Sequence, residues 1–108
     1  MKICFLGCGN IAQAIIDGLL KSGMQPSHIA CIERNEQRVN SLKTQGLQII
    51  ELENLASLDF DLIVLAVKPK DALSAAKSIF KHLPTAIILS VVAGIGIEKY
   101  SQPKSIIR

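Results

Sequence analysis

A glycine-rich segment near the start of the chain has the residue types and the spacing of a phosphate-binding loop. Gly7, Gly9 and Ala12 form the pattern G-x-G-x-x-[GA]. The first glycine of such a loop allows a tight turn, the second lets the backbone approach a pyrophosphate, and the small third residue lets helix and strand pack closely. The following helix presents free N–H groups and its positive dipole end to the phosphates. A dinucleotide site is therefore predicted at Gly7, Cys8, Gly9, Asn10, Ile11 and Ala12, with a purely structural turn as the alternative.

The residues on both sides of this loop predict the strand and the helix that it needs. An apolar run over residues 2–6 precedes it. After it, Ile11, Ala14, Ile15 and Leu19 recur at helical spacing, and Gly23 follows the predicted helix end. The order strand, loop, helix is the arrangement in which the glycine pattern binds dinucleotides.

A charged segment follows the second predicted strand, residues 29–32. Glu33 follows Ala12 at close to the ~20-residue spacing at which such folds place an acid on the adenosine ribose. Its carboxylate would favour NAD, because it accepts from the 2′-OH and repels a 2′-phosphate, whereas Arg34, helped by Asn35, would bind that phosphate. The choice between NAD and NADP stays open, and a solvated charge cluster is the alternative.

The rest of the chain alternates between short apolar runs, which are typical of buried strands, and apolar residues at helical spacing. A helix is predicted over residues 36–44 with Val39 and Leu42 inward, and another from a cap at Asp71 to residue 81 with Leu73, Ala76, Ile79 and Phe80 inward. Strands are predicted at 47–50, 61–67, 85–92 and 105–108, and short helical turns from Asn54 to Leu58 and over 97–100. This alternation predicts an α/β fold of the Rossmann type: a doubly wound parallel sheet in a three-layer α/β/α arrangement, with strand order 3-2-1-4-5-6.

Ligands of such sheets lie beyond the carboxyl ends of the strands, so the loops after strands four and five become further candidates. These candidates are Ala66, Val67, Lys68 and Pro69 in one loop and Ala93 and Gly94 in the other. A simple turn before a helix is the alternative for the first loop. Neither His28 nor His82 is assigned a catalytic role.

Composition narrows the functional class. The 108 residues are enough for one domain, and 4% aromatic residues with a dispersed net charge of +3 argue against nucleic-acid binding. No apolar stretch approaches the ~20 residues needed to cross a bilayer, so no membrane partner is expected. Met1 and Lys2 run straight into the first strand and leave no room for a leader, which predicts a cytoplasmic protein. An odd count of three cysteines predicts reduced thiols.

Three segments together resemble the N-terminal domain of pyrroline-5-carboxylate reductases, and the resemblance covers essentially the whole chain. The segments are Phe5-Leu6-Gly7-Cys8-Gly9-Asn10-Ile11-Ala12-Gln13-Ala14-Ile15, Leu65-Ala66-Val67-Lys68-Pro69-Lys70 and Ser90-Val91-Val92-Ala93-Gly94-Ile95. The resemblance implies that residues 7–12 hold the pyrophosphate, 33–35 meet the adenosine ribose and 66–69 line the nicotinamide ribose. Asn54 stands one residue out of register with a family asparagine that contacts the cofactor.

The implied reaction is the reduction of L-1-pyrroline-5-carboxylate to L-proline, the last step of proline biosynthesis, with NADP as cofactor and NAD as the alternative. In the family, the helical substrate and dimerisation domain follows the segment matched here, and the full-length enzyme is expected to be a homo-oligomer. This chain by itself is expected to be inactive, and neither a catalytic residue nor a metal site is assigned. The alternatives are a stand-alone redox-sensing module and a hydroxy-acid dehydrogenase of the six-phosphogluconate-dehydrogenase type, which shares the glycine loop but not Ala-Val-Lys-Pro.

Overall fold

Six short strands form one parallel sheet in the computed structural model, which describes residues 1–108. The strands are β1 (Ile3–Leu6), β2 (Ile29–Ile32), β3 (Gln48–Ile49), β4 (Leu62–Leu65), β5 (Ile88–Ser90) and β6 (Ile106–Ile107). Their order is β3-β2-β1-β4-β5-β6, and every neighbouring pair is parallel. The predicted strand order is therefore confirmed.

Three α-helices and five short 3₁₀ segments connect the strands. The α-helices are α1 (Asn10–Lys21), α2 (Glu36–Thr44) and α3 (Ala72–His82). The 3₁₀ segments are Pro26–His28, Leu52–Ser57, Pro69–Asp71, Ile97–Lys99 and Pro103–Ser105. No helix combines the length and the apolar character that a membrane span requires.

Helices cover both faces of the sheet, which gives the predicted three layers. Successive strand residues point to opposite faces, so Phe5 and Cys4 belong to different apolar clusters. Phe5 packs in the cluster that contains Ile16 of α1 and Leu42 of α2. Cys4 lies in the cluster that contains Phe80 of α3. The four central strands, β1, β2, β4 and β5, are consequently covered on both sides, as their continuous apolar runs indicated.

The buried faces of two helices differ from the sequence pattern. Leu73 is 41% exposed, so its predicted inward position is wrong. Ala72 is buried instead, on the same stripe as Ala76, Ile79 and Phe80. At about 100° per residue, Leu73 lies at the edge of this stripe, on the Phe80 side. In α1 the fully buried residues are Ala12 and Ile16, whereas Ile11 and Ala14 are exposed.

Several predicted element boundaries were also wrong. β4 and β5 are both shorter than predicted. For β5, a turn at Pro84 delays the start of the strand, and the chain leaves the sheet after Ser90. The short helical turn starts at Leu52, so Asn54 lies inside it rather than at its start. Asp71 occupies the N-cap position of α3 but makes no side-chain capping bond, because the preceding 3₁₀ turn already gives it helical dihedrals.

Candidate functional site

The glycine loop joins β1 to α1 at the carboxyl ends of the central strands. The N–H of Gly7 donates to the carbonyl of Ile32 at the end of β2, at 3.0 Å, and the N–H of Ala66 donates to the carbonyl of Leu6 at 2.9 Å. The loop is thus held between the ends of β2 and β4, where the strand order reverses. In open α/β sheets this is the position at which ligands bind.

The two glycines of the loop have different local environments. Gly7 has a φ of +85°, and a Cβ there would lie 2.8 Å from the carbonyl oxygen of Ala66 and 3.0 Å from Cγ1 of Val67. A Cβ on Gly9 would meet only Nη2 of Arg38, at 4.0 Å. Gly7 is therefore needed for the turn itself, while Gly9 leaves open space beside the backbone. This difference fits the separate roles of the two glycines in a pyrophosphate loop.

The first turn of α1 leaves its N–H groups available to a ligand. Gly9 is the N-cap residue and has no side chain to accept from these groups. The first turn also lacks an acidic residue. An anion beside the loop would meet unpaired donors and the positive end of the helix dipole. The local structure fits a phosphate group.

A cavity of about 750 Å³ opens beside the loop, within the usual size range for small-molecule sites. Many of the predicted site residues line it: Gly7, Cys8, Gly9, Glu33, Arg34, Asn35, Ala66, Val67 and Lys68. The structure therefore brings together the glycine loop, the end of β2 and the end of β4. These three segments are separate in sequence and meet only through the sheet order.

The remaining predicted site residues lie outside the lining of this cavity: Asn10, Ile11, Ala12, Asn54, Pro69, Ala93 and Gly94. Ala12 is fully buried, as a residue that packs helix on strand must be. The side chain of Asn54 accepts from the N–H of Glu51 at 3.0 Å, a local bond that stabilises the start of the 3₁₀ turn. For all seven residues outside the lining, contact with a ligand stays a prediction.

Sequence reasoning missed Arg38, whose side chain extends from α2 over the glycine loop. Its Nη1 is 3.9 Å from Oε1 of Glu33, and its side chain is 52% exposed. The backbone N–H of Arg38 donates to the side chain of Asn35, the N-cap residue of α2, at 3.0 Å. The sequence did contain a signal for Arg38: it is a cation three residues after the N-cap Asn35. This spacing places it in the first turn of α2, at the helix end that faces the glycine loop. Ser74 and Ser78, one turn apart on α3, also line the cavity and were missed.

The carboxylate of Glu33 is the most heavily hydrogen-bonded side chain of the site. Its Oε1 accepts from the N–H of Cys8 at 2.8 Å, and its Oε2 accepts from the N–H groups of Arg34 and Asn35 at 2.8 and 2.9 Å. Burial by itself would raise the pKa of Glu33, but the three N–H donors and the nearby Arg38 guanidinium outweigh it and lower that pKa. Glu33 is therefore an anion with its charge compensated inside the protein.

The three thiols are all free and buried. Cys8 lies in the glycine loop, where a hydrogen bond with Cys31 and then burial raise the pKa of the Cys8 thiol. Burial, followed by repulsion from Cys8, raises the pKa of Cys4 to about 12. Thiols that resist deprotonation are poor nucleophiles, so Cys4 and Cys8 act as packing residues, and the fully buried Cys31 packs in the same apolar cluster as Cys8.

Comparisons with known proteins agree with this geometry. Residues 2–94 match the model of the family described as "NADP oxidoreductase coenzyme F420-dependent". Pyrroline-5-carboxylate reductase 2 of Bacillus subtilis is 39% identical over 100 residues, which cover 90% of this chain and 36% of that protein. A pyrroline-5-carboxylate reductase structure from Coxiella burnetii superposes with a TM-score of 0.84 at 25% identity, over 94% of this chain and 39% of that one.

A second solved structure carries a bound dinucleotide. Pyrroline carboxylate reductase of Plasmodium falciparum, with NADP bound, matches with a TM-score of 0.75 at 26% identity, over 92% of this chain and 36% of that chain. The chain thus spans well under half the length of each of these relatives. The resemblance to the N-terminal part of pyrroline-5-carboxylate reductases, predicted from three short segments, is confirmed.

Proposed function

Since the chain belongs to the family described as "NADP oxidoreductase coenzyme F420-dependent", we propose that residues 1–108 form the dinucleotide-binding domain of a pyrroline-5-carboxylate reductase. The observation that carries the proposal is the contact between Gly7 and Ala66, which joins the glycine loop to the Ala-Val-Lys-Pro segment at one cavity. The relatives named above are pyrroline-5-carboxylate reductases, and the match to each of them covers 90% or more of this chain.

The residues present fit a dinucleotide. The open space beside Gly9 and the free N–H groups of α1 suit the pyrophosphate, and residues 7–12 would hold it. The turn of residues 33–35 would lie beside the adenosine ribose, with the Glu33 carboxylate directed to the backbone and the guanidinium of Arg34 on a 2′-phosphate. The guanidinium of Arg38 lies on the glycine-loop side of the same turn, nearer the position of the pyrophosphate. Residues 66–69, with Ala93 and Gly94, would line the nicotinamide end.

The proposed cofactor is NADP, with NAD as the weaker alternative. Arg34 lines the cavity next to the ribose turn and offers a cation to a dianionic 2′-phosphate. The NADP-bound relative supports the same choice.

The proposed reaction is the reduction of the imine of L-1-pyrroline-5-carboxylate to the amine of L-proline. Bound NADPH supplies the hydride for the imine carbon, and the nitrogen gains a proton. The task of this chain is to hold the dinucleotide in one orientation, which removes the entropy cost of aligning the reacting atoms. In the relatives, more than half of the chain lies outside the matched segment. We assign substrate binding, the catalytic hydroxyl and the assembly of a homo-oligomer to that part of the full-length enzyme.

A chimera tests the proposal directly. Residues 1–108 would replace the matched N-terminal segment of the Bacillus subtilis reductase, and NADPH oxidation would be followed with pyrroline-5-carboxylate. We expect turnover by the chimera, none by the 108-residue chain, and none by a chimera that carries Gly9→Val. Tight NADP binding without turnover would favour a redox-sensing module, and turnover of a hydroxy acid instead would favour a dehydrogenase. Either result would overturn the proposal.

A further inference from the structure

The carboxylate of Glu33 points inward to the protein backbone. Its Oε1 receives the N–H of Cys8, at the centre of the glycine loop, and its Oε2 receives the N–H groups of Arg34 and Asn35 at the start of the next turn. One side chain thereby links two segments that are 25 residues apart in sequence. Each oxygen accepts at 2.8 to 2.9 Å, the short distance of hydrogen bonds to an ionised group.

These bonds occupy most of the acceptor capacity of the carboxylate. An ionised carboxylate offers about four lone-pair positions. Three are taken by the backbone donors, and the Arg38 guanidinium stands 3.9 Å from Oε1. The Glu33 side chain is only 9% exposed. A ribose hydroxyl would either compete with the Arg38 guanidinium for the one position left on Oε1, or displace a donor and leave a backbone N–H without a partner.

We infer that Glu33 is a positioning residue, which anchors the glycine loop to the β2–α2 turn, and that it does not bind the ribose 2′-OH. This inference rests on the proposed function, because it concerns how the site accepts a dinucleotide. By holding the N–H of Cys8, Glu33 fixes the backbone that leads into Gly9 and the first turn of α1. A loop that is already ordered loses less entropy when it binds a ligand.

The same geometry explains how an acid at this position is compatible with NADP. A carboxylate that faced the ribose would repel a 2′-phosphate. Here the negative charge is compensated by three N–H dipoles and by the Arg38 guanidinium. Glu33 therefore leaves the discrimination between the two dinucleotides to the side chains of the turn, including Arg34.

Glu33→Gln separates a positioning role from a ribose-binding role. The amide can accept on one side only, and it loses fewest bonds when its oxygen keeps the two N–H groups of Arg34 and Asn35. Its NH₂ group then faces the N–H of Cys8, so the bond to the glycine loop is lost. We expect NAD and NADP to bind about tenfold more weakly, equivalent to ~1.4 kcal/mol, with a ratio of affinities that changes less than about twofold. A ribose-binding carboxylate would give a different result: NAD would weaken and NADP would strengthen. That result, or unchanged binding of both, would overturn the inference.

The matched control is Glu36→Gln, which removes the same charge from an exposed position on the first turn of α2. We expect this variant to bind both dinucleotides within about twofold of wild type, since charges exposed to water are weakly coupled. A tenfold loss in the control as well would show that net charge rather than anchoring is responsible, and the inference would fail.

Amide hydrogen exchange of the chain without any dinucleotide gives an independent measurement. The Cys8 amide should exchange at least about tenfold faster in Glu33→Gln than in wild type, while the amide of Phe5 in β1 stays protected. Equal exchange of Cys8 in both proteins would overturn the inference. Failure of the wild type to bind either dinucleotide would instead refute the proposed function, and the role of Glu33 in cofactor binding with it. The two failures are therefore distinguishable.

Discussion

Gly7 packs directly against the backbone of Ala66, because a Cβ at position 7 would lie 2.8 Å from the Ala66 carbonyl oxygen. We expect Gly7→Ala to lower the free energy of unfolding by more than about 2 kcal/mol, measured by urea denaturation, since left-handed dihedrals and overpacking both add cost. Gly23→Ala is the matched control: Gly23 has a φ of +106° and open space around it. Equal losses in the two variants would mean that the contact with Ala66 contributes nothing.

Substitution of Gly9 should have little effect on stability, because its φ is −76° and the nearest atom to an added Cβ is 4.0 Å away. We expect Gly9→Val to change the free energy of unfolding by no more than about 1 kcal/mol. The same substitution should abolish NADP binding in a calorimetric titration, since the side chain fills the space that a pyrophosphate needs. Wild-type affinity in the folded variant would show that the loop does not hold the pyrophosphate.

The stability of the chain should depend on pH through Glu33. Because the pKa of Glu33 is lowered in the folded state, its contribution is complete above the ordinary glutamate pKa of ~4.3 and is lost as pH falls through the lower folded value. Wild type should therefore be more stable than Glu33→Gln at neutral pH, and the gap in unfolding free energy should close in acid. The measurement is urea denaturation of both proteins from neutral pH to about pH 3. A gap that stays constant would contradict the hydrogen-bonded carboxylate.

Much of the fold was predictable, because the strand order follows from the alternation of strand and helix patterns along the chain and from the position of the glycine loop. The orientation of Glu33 was not predictable, since spacing places a residue at a strand end but does not say whether its side chain faces ligand or backbone. Arg38 was missed although α2 was predicted over residues 36–44, because a correct helix start does not say in which direction a long side chain of the first turn extends. Leu73 was wrongly predicted to face inward because its spacing from Ala76 and Phe80 fits the apolar stripe, and spacing does not show that it lies at the edge of that stripe.

The buried thiols give a test of the packing around the loop. Cys4, Cys8 and Cys31 should react with a thiol reagent at about pH 8 roughly a hundredfold or more slowly in the folded chain than after unfolding, because all three thiols are buried and the pKa values of Cys4 and Cys8 are raised. Absorbance of the released thiolate of an aromatic disulfide reagent follows the reaction, and denaturant should release all three thiols. Cys8 lines the cavity, so rapid reaction of one thiol in the native chain would mean that Cys8 is accessible from it.

Arg34 should decide the preference between NADP and NAD. Its guanidinium lines the cavity next to the ribose turn, so we expect Arg34→Ala to weaken NADP by roughly tenfold, equivalent to ~1.4 kcal/mol, and to leave NAD nearly unchanged. In wild type, NADP should bind at least as well as NAD at low salt, and the preference should fall as salt screens the exposed contact. Arg38→Ala is the comparison: Arg38 Nη2 is the atom nearest to a Cβ on Gly9, so its loss should weaken both dinucleotides. Titration of each dinucleotide into the three proteins at two salt concentrations measures these effects. Equal losses of NAD and NADP in Arg34→Ala would show that Arg34 does not bind the 2′-phosphate.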